Sequence, residues 1–545
     1  MSTIEKKPYM MYDPAKWTAR FEQDAKSHEE KHKLIYEQLV NILGSRYVSA
    51  DPGVSEAYAR ERQAPDYLTH GRSEFVVLPG STEDVQKIVK LANRYNFPFS
   101  IMSCGLYYTC FAAEGIPYWC QVDPKRMDEL EIDEKNMYAI VEPYVTHGQL
   151  QVEAMKKGLF NATTTPGAQS SVLANHICFG YQGSCYRTGF GGKNILGMEW
   201  VLPNGEILRT GSLSTPGVGY FWGEGPGPDA RALLRGMLGH FGSLGVITKI
   251  AVKLFPWPGP RIFPIEGVAP RLNCNLPSEK FRWYFINYPT IEKAMKAMRE
   301  ISKTEIAAIL NRWDLRQFLE FSVKSSEEYW KLKTEEYFDK HLGKGAQVLT
   351  VGIWGWASPK QVEYEEMILM EIMQETGGKL VPDEIYRRLV NCIAVDNIRS
   401  VHVIKGARRI GKGPSLGEAE VDGFSGLLPL LDVVKEIRDK YTPPLLDQGL
   451  NCWIAPYDLG HHALLEVYGA TLPGGEEEQL ALLPGGREMT MRHAQESLVG
   501  LHVAAVPQNL VGPFFHNIHQ LTAKIKKAID PKGIANPSRF IDMEA

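Results

Sequence analysis

"VVLPGSTEDVQKIVKLANRYNFPFSIMS", residues 76–103, is the stretch whose reading decides the fold. A short apolar strand stops at Pro79-Gly80. Ser81 then caps a helix that carries Glu83 and Asp84 in its first turn and Val85, Ile88, Val89 and Ala92 on one face. "FPFSIMS" reads as a returning strand. The strand, helix and strand deliver the chain into "CGLYYTCFAAEG", residues 104–115, where a phosphate-holding glycine loop belongs. Only Gly105 precedes Gly115 in that loop, so the first question is what it still holds.

The bounds narrow the answer. A chain of 545 residues, 44% hydrophobic, is too long for one core and predicts two or three domains. Its formal charge of −4, with Lys and Arg dispersed, provides no basic field for nucleic acid. The N-terminus "MSTIEKKPYMMYDPAKW" lacks an apolar signal core, and no run approaches the roughly 18 apolar residues of a membrane span. A cytoplasmic protein without a membrane span is expected. The eight cysteines form no CxxC pair, which argues against a disulfide framework and against a zinc or iron–sulfur centre, so no metal is expected.

Outward from the opening unit, residues 15–45 read as polar helices with Phe21, Leu34, Ile35, Leu39 and Ile42 on their apolar face. "YAIVEPYVTHGQLQVEAMKKGLF" (138–160) is a strand followed by an amphipathic helix. "NATTTPGAQSSVLANHICFGYQGSCYRTGFGGKN" (161–194) is rich in Gly, Ser, Thr and Asn, a composition that lets backbone approach a ligand closely. "ILGMEWVLPNGEILRTG" (195–211) reads as a hairpin turning at Asn204-Gly205. "LGVITKIAVKLFPWPGP" closes this half, and Pro256, Pro258 and Pro260 mark a boundary near 260. From about 265 to 500 strands alternate with long helices, predicting a second α+β domain. Within it, "LPGGEEEQLALLPGGREM" (472–489) reads as a solvated excursion. The tail "LTAKIKKAIDPKGIANPSRFI" is an amphipathic helix stopped by Asp530-Pro531, with a turn at Gly533.

Five blocks in order resemble the flavoprotein family of vanillyl-alcohol oxidase, p-cresol methylhydroxylase (PCMH) and the FAD-linked 2-hydroxy-acid dehydrogenases. They are the opening stretch, "YAIVEPYVTHGQL", "RTGFGGKNILGMEWVLPNGEILRTGS", "GSLGVITKIAVKLFP" and "IKKAIDPKGIANPSRF". The resemblance implies an α+β fold: a two-subdomain PCMH-type FAD-binding domain with an inserted α+β cap domain. It implies an N-terminal helical segment at 1–70, the FAD-binding domain at 71–262, the substrate cap at 263–505, and a C-terminal segment, 506–545, that returns to the FAD domain. FAD is the implied cofactor. The positions that correspond to its binding site are Met102, Ser103, Cys104, Gly105, Leu106, Pro166, Gly167, Ser170, Ser171, Asn175, Gly183, Gly245, Ile247, Asn536 and Arg539. The loop departs from the family in its bulk, and Tyr144 stands where relatives show a small residue. Two readings stay open. Either the amides of Ser103 to Leu106 bind the pyrophosphate, which needs no particular side chain, or the pocket is filled and the chain is a flavin-free structural or regulatory subunit.

The chemistry implied is transfer of hydride from a small alcohol, a hydroxy acid or an activated C–H substrate, aromatic ones included, to flavin N5. A phenol-oxidising relative uses a Tyr-Arg pair near the end of its cap, and "ESLVGL" before "HVAAVP" has neither. Tyr107 and Tyr108 stand near where a family tyrosine reaches substrate, with packing or a hydrogen bond to backbone as the alternative reading of each. A hydroxy-acid substrate needs a carboxylate clamp and a base. "RSVHVIKGARRIGKG" offers Arg399, His402, Arg408 and Arg409, while His462 and His502 are further candidates. The catalytic candidates are thus Tyr107, Tyr108, His462, His502 and Arg409. The electron acceptor, whether dioxygen, quinone, cytochrome or a partner flavoprotein, is not fixed by any motif, and a homo-oligomer, a dimer, is expected.

Overall fold

The computed structural model describes residues 14–22, 27–59, 71–105, 112, 115–162, 167–178, 184–211, 216–217, 229–234, 240–268, 271–399, 412–445, 452–471, 483–496, 512–537, 541 and 543. Three sheets organise them. The first contains β1 (Val48–Ser49), β2 (Phe75–Val77), β3 (Phe99–Ile101) and β4 (Cys120–Val122), in the order β1-β2-β4-β3. Helices α1 (Pro14–Glu22), α2 (His28–Leu43) and α3 (Pro52–Tyr58) precede β2, and α4 (Thr82–Tyr95) links β2 to β3. Ser81 caps α4, its side chain accepting from the Asp84 amide, and Val85, Ile88, Val89 and Ala92 are buried. The returning strand does not lie beside β2: β4 inserts between them, parallel to both. The carboxyl ends of three parallel strands therefore share one edge, the place where α/β sheets receive ligands.

The second sheet holds β5 (Leu130–Asp133), β6 (Tyr138–Val141), β8 (Ile195–Val201), β9 (Ile207–Thr210) and β10 (Val246–Lys253), in the order β5-β6-β10-β8-β9. β8 and β9 form the hairpin read at Asn204-Gly205; Gly205 adopts φ +84, a left-handed conformation that a side chain would strain. On this sheet lie α5 (His147–Lys156), α6 (Val172–Cys178) and the single turn α8 (Arg231–Leu234), while the single turn α7 (Cys185–Thr188) sends Cys185 and Tyr186 into the cores of the third sheet. Thr146 and Gln149 close a capping box at the start of α5. A two-stranded pair, β7 (Leu159–Phe160) with β11 (Phe255–Pro256), and a ribbon, β12 (Ile265–Val268) with β13 (Arg271–Cys274), lead out of this half.

The third sheet is antiparallel and seven-stranded. Its members are β14 (Phe281–Tyr288), β15 (Ile309–Trp313), β16 (Gln347–Trp354), β17 (Lys379–Leu380), β18 (Lys412–Asp422), β19 (Cys452–Tyr457) and β20 (His462–Thr471), in the order β17-β14-β16-β15-β19-β20-β18. Strand alternation gives it two faces. On one, Leu310, Leu349, Val351, Ile454 and Leu465 pack with α9 (Ile291–Lys303), α13 (Pro359–Thr376) and α15 (Phe424–Lys440). On the other, Trp283, Ile309, Trp313, Val348, Trp354 and Trp453 join two clusters that also contain Phe160, Cys185 and Phe241 from the first half. α10 (Leu315–Ser322), α11 (Ser326–Thr334), α12 (Tyr337–Leu342) and α14 (Asp383–Arg399) belong to this side. The sheet is thus a cap whose inner face packs against Phe160, Cys185 and Phe241 of the first half.

The second Leu-Pro-Gly-Gly, expected in a solvated excursion, instead opens helix α16 (Leu483–Gln495). A Cβ on Gly485 would lie 3.0 Å from the Tyr441 ring, so glycine admits the helix to a packed surface. The final helix, α17 (Ile518–Ile529), ends at Asp530 and returns the chain to the first sheet: Ala535 forms a parallel bridge with Phe99, and Ile534 and Ala535 enter its core.

Candidate functional site

At the shared edge of the first sheet, the amides of Ser103, Cys104 and Gly105 follow β3 and meet no acceptor among the described residues, whereas the Met102 amide bonds to Val122 O. Gly105 takes φ +61. Consecutive unclaimed N–H groups around a left-handed residue are the donor set that an anion such as a pyrophosphate requires. One carboxylate stands nearby: Asp123, together with the larger effect of burial, pushes the Cys104 thiol up to about 11. Asp123 is itself countered by Lys125 Nζ at 2.7 Å and by the Tyr58 hydroxyl at 2.6 Å. Among the described residues the edge therefore carries no unbalanced negative charge against a phosphate, and its residues fit FAD.

Across from it, the segment 167–178 is braced on α5. The His147 and Gly148 amides donate to Ser170 O and Ala168 O, and Thr146 bridges Ser171. Gly167 adopts φ +145. The hydroxyls of Ser170 and Ser171 donate to Gly167 O and Pro143 O, so these serines shape the loop through their own backbone. Asn175 is buried on α6 beside His176. Ile247 lies in the core of the second sheet, and Gly245 (φ +112) lets the chain pass the Trp200 indole, which a Cβ would approach to 2.7 Å. Asn536 is 1% exposed; its amide donates to Phe99 O, and its Nδ2 donates to Phe241 O at 2.5 Å. The C-terminal turn therefore sits between the two sheets, next to the loop at 240–245.

His462 lies at a rim. Its Nε2 is 3.0 Å from Lys193 Nζ, which also bonds to Asp458 Oδ2 at 2.6 Å, and burial, followed by the Lys193 charge, lowers its pKa. This group ties the FAD-domain side to the cap. Leu106, Tyr107, Tyr108, Pro166, Gly183, Arg409, His502 and Arg539 lie outside the described residues.

The inner face of the cap presents groups that the motif reading passed over. Trp313 and Trp453 stack at 4.9 Å, buried. On β15, Asn311 Nδ2 donates to Asn397 Oδ1 on α14 at 2.8 Å. The next residue's carbonyl, Ile398 O, accepts from Gln151 of α5, so the end of α14 is held between the cap sheet and the second sheet's helices. Asp396 lies in that layer, 2% exposed, with Oδ1 unpartnered, and burial holds its carboxyl well above the usual carboxylate range. Three residues on, Arg399 meets no carboxylate among the described residues; its guanidinium stands over the Phe263 ring at 5.2 Å, and burial lowers its pKa. An acid inside the apolar run "CIAVDNI" was the signal available in the sequence. Such a buried carboxyl can take a proton, and a guanidinium that no acid neutralises can hold an anion.

Comparison with known proteins agrees with this geometry. Residues 73–211 match the model of an FAD binding domain, a span that includes the glycine-poor loop. The D-lactate dehydrogenase of Archaeoglobus fulgidus is 26% identical over 510 residues, 89% of this chain and 96% of that protein. The 4-cresol dehydrogenase [hydroxylating] flavoprotein subunit of Pseudomonas putida is 24% identical over 524 residues, 91% of this chain and 93% of that protein. Among solved structures, substrate-bound p-cresol methylhydroxylase superposes with a TM-score of 0.76 at 20% identity, covering 95% of this chain and 98% of its own. The chain is an FAD-dependent oxidoreductase with the PCMH-type fold, and it is similar to FAD-linked oxidases and dehydrogenases.

Proposed function

We propose that this flavoprotein oxidises a small 2-hydroxy acid bound between the inner face of the cap and the FAD domain. The observation that carries the reading is the pair at the end of α14: a buried Asp396 carboxyl with Oδ1 unpartnered and, three positions on, an Arg399 guanidinium that meets no carboxylate among the described residues. Residues three apart on a helix have Cβ atoms about 5–6 Å from one another, a spacing suited to a hydroxyl and a carboxylate on adjacent carbons. FAD, when bound, supplies the hydride acceptor. Arg399 holds the substrate carboxylate, and Asp396 in its ionised form takes the hydroxyl proton as the C–H bond breaks. Asn397, fixed by Asn311, and Gln151, fixed on Ile398 O, hold the helix end in register with the two layers. The D-lactate dehydrogenase relative supports the class.

The backbone of the first sheet's edge would hold the cofactor's phosphates through Ser103, Cys104 and Gly105, with Asn536 closing the far side. Anaerobic mixing of the purified yellow protein with a panel of 2-hydroxy acids, their amides and para-alkylphenols tests the reading. Bleaching near 450 nm by a hydroxy acid but not by its amide is expected. Bleaching by alkylphenols alone would replace it with a phenol-oxidising one.

A further inference from the structure

A cavity of about 280 Å³ opens at the seam between the two halves, at the opposite end of the inner face from the Trp313–Trp453 stack. Val348, which pairs with Trp313, and Trp354, which lines the cavity, are six residues apart on β16 and share its face, so about 20 Å separates the two ends. Phe160, Phe255, Trp354 and Trp356 form aromatic walls. The volume exceeds the roughly 150 Å³ of a dry cavity that takes up benzene.

Two donors among the lining residues have no acceptor among the described residues. Ser184 Oγ and Trp354 Nε1 are both buried, on residues 1% and 2% exposed, and neither makes a hydrogen bond. A buried donor left unpaired is costly, so the site is polar in the one way that a ligand oxygen relieves. At the exposed mouth stands Arg187. One of its nitrogens bonds to Glu305 O at 2.7 Å and Ala307 O at 3.4 Å, and its guanidinium lies 4.8 Å from the Trp356 ring centre. This fixes a cation at the rim with no carboxylate on it among the described residues. The acid nearest in the lining network, Glu365, already accepts from Gln361 Nε2 and the Ala307 amide.

We infer that this cavity is a binding site for a small aromatic carboxylate with a hydroxyl on its ring. The ring lies against the aromatic walls, the ring oxygen accepts from Ser184 and Trp354, and the carboxylate pairs with Arg187. The site does not depend on Asp396 or Arg399, and it stands or falls apart from the oxidation assigned to them.

The test is calorimetric titration of 4-hydroxybenzoate, with benzoate and cyclohexanecarboxylate alongside, into the flavin-loaded full chain. Saturable 1:1 binding is expected, with benzoate at least fivefold weaker and cyclohexanecarboxylate weaker again. Ser184→Ala and Arg187→Met should each weaken 4-hydroxybenzoate at least fivefold, and Ala308→Leu, which fills the cavity, should abolish it. Absorbance near 450 nm, read on every variant, keeps this result separate from cofactor loading. Absence of saturable binding at millimolar ligand, or equal affinity in Arg187→Met and Ser184→Ala, overturns the proposal. Should Ala308→Leu fail to fold, those two substitutions still decide it.

Discussion

Lys526 Nζ lies 2.5 Å from Asp530 Oδ2, one helical turn away, with both side chains 1% exposed. The same ammonium donates to Ala535 O at 2.6 Å and to Ser243 O, while Asp530 accepts the amides of Ile534 and Ala535 at 3.0 Å. Every link converges on the turn that sets Asn536 against Phe99 and Phe241. Removing one partner of a buried pair leaves the other charge unpaired, at about 3–5 kcal/mol. Lys526→Met is therefore expected to lower the melting temperature by several degrees and to release flavin. Truncation after Ile529 should release it as well. A variant that melts unchanged and stays yellow would show that the latch does not hold the cofactor side together.

The loop after β3 makes a second, local prediction. Gly105 at φ +61 occupies a conformation that costs a residue with a Cβ roughly 1–2 kcal/mol. Among the described residues the nearest atoms a Cβ there would meet belong to the Met102 side chain, no closer than 3.5 Å, so the effect of Gly105→Ala is conformational and not steric. FAD affinity, measured by fluorescence on reconstitution of the apoprotein, should fall about tenfold while the melting temperature of the apoprotein changes little. Equal affinity would move the phosphate site off these amides.

Local signals made much of the fold legible. Ser81 with Glu83 and Asp84, the Asn204-Gly205 turn, and the Asp530-Pro531 stop each act within a few residues, and each forms as the sequence suggests. The insertion of β4 between β2 and β3 was not legible, because strand order is decided by contacts between segments far apart in sequence. The helix at Leu483–Gln495 was misread because Pro484, Gly485 and Gly486 lower intrinsic helix propensity, which packing against Tyr441 overrides. The site divides in the same way. Ser103 to Gly105 follow from a strand and its loop, whereas Asp396 gains its chemistry from layers contributed by α5, β15 and α14.

Beneath the loop at 167–178, His147 and His176 stack with ring centres 5.7 Å apart, each 1% exposed and each with an unpartnered Nε2. Burial lowers His176 from 6.5 to about 4, and burial with repulsion from His176 holds His147 well below 6.5. The unfolded chain binds these protons at a higher pH than the folded one does. Stability is thus complete above about 6.5 and is lost as pH falls from there toward 4, on the order of 1.4 kcal/mol per pH unit for each ring. Urea midpoints taken between pH 7.5 and 5 should fall steeply, and His176→Gln should flatten that slope. An unaltered slope in the variant would place the acid sensitivity elsewhere.

Asp396 makes the sharpest claim. Its carboxyl, 2% exposed and without a partner at Oδ1, is held well above the usual range by burial alone, so it titrates at a higher pH than a surface aspartate. As the proton acceptor it must be ionised, and kcat/KM should fall as pH drops through that raised value, with a slope of one proton. Asp396→Asn keeps the shape and removes the base, which general-base contributions place at about 10²- to 10⁴-fold in rate. The acid limb should vanish with it. Because no buried charge is left unpaired by this substitution, flavin content and melting temperature should hold or rise. A variant that loses flavin would assign Asp396 to the architecture of the α14 end; one that keeps both flavin and full turnover would require a different base.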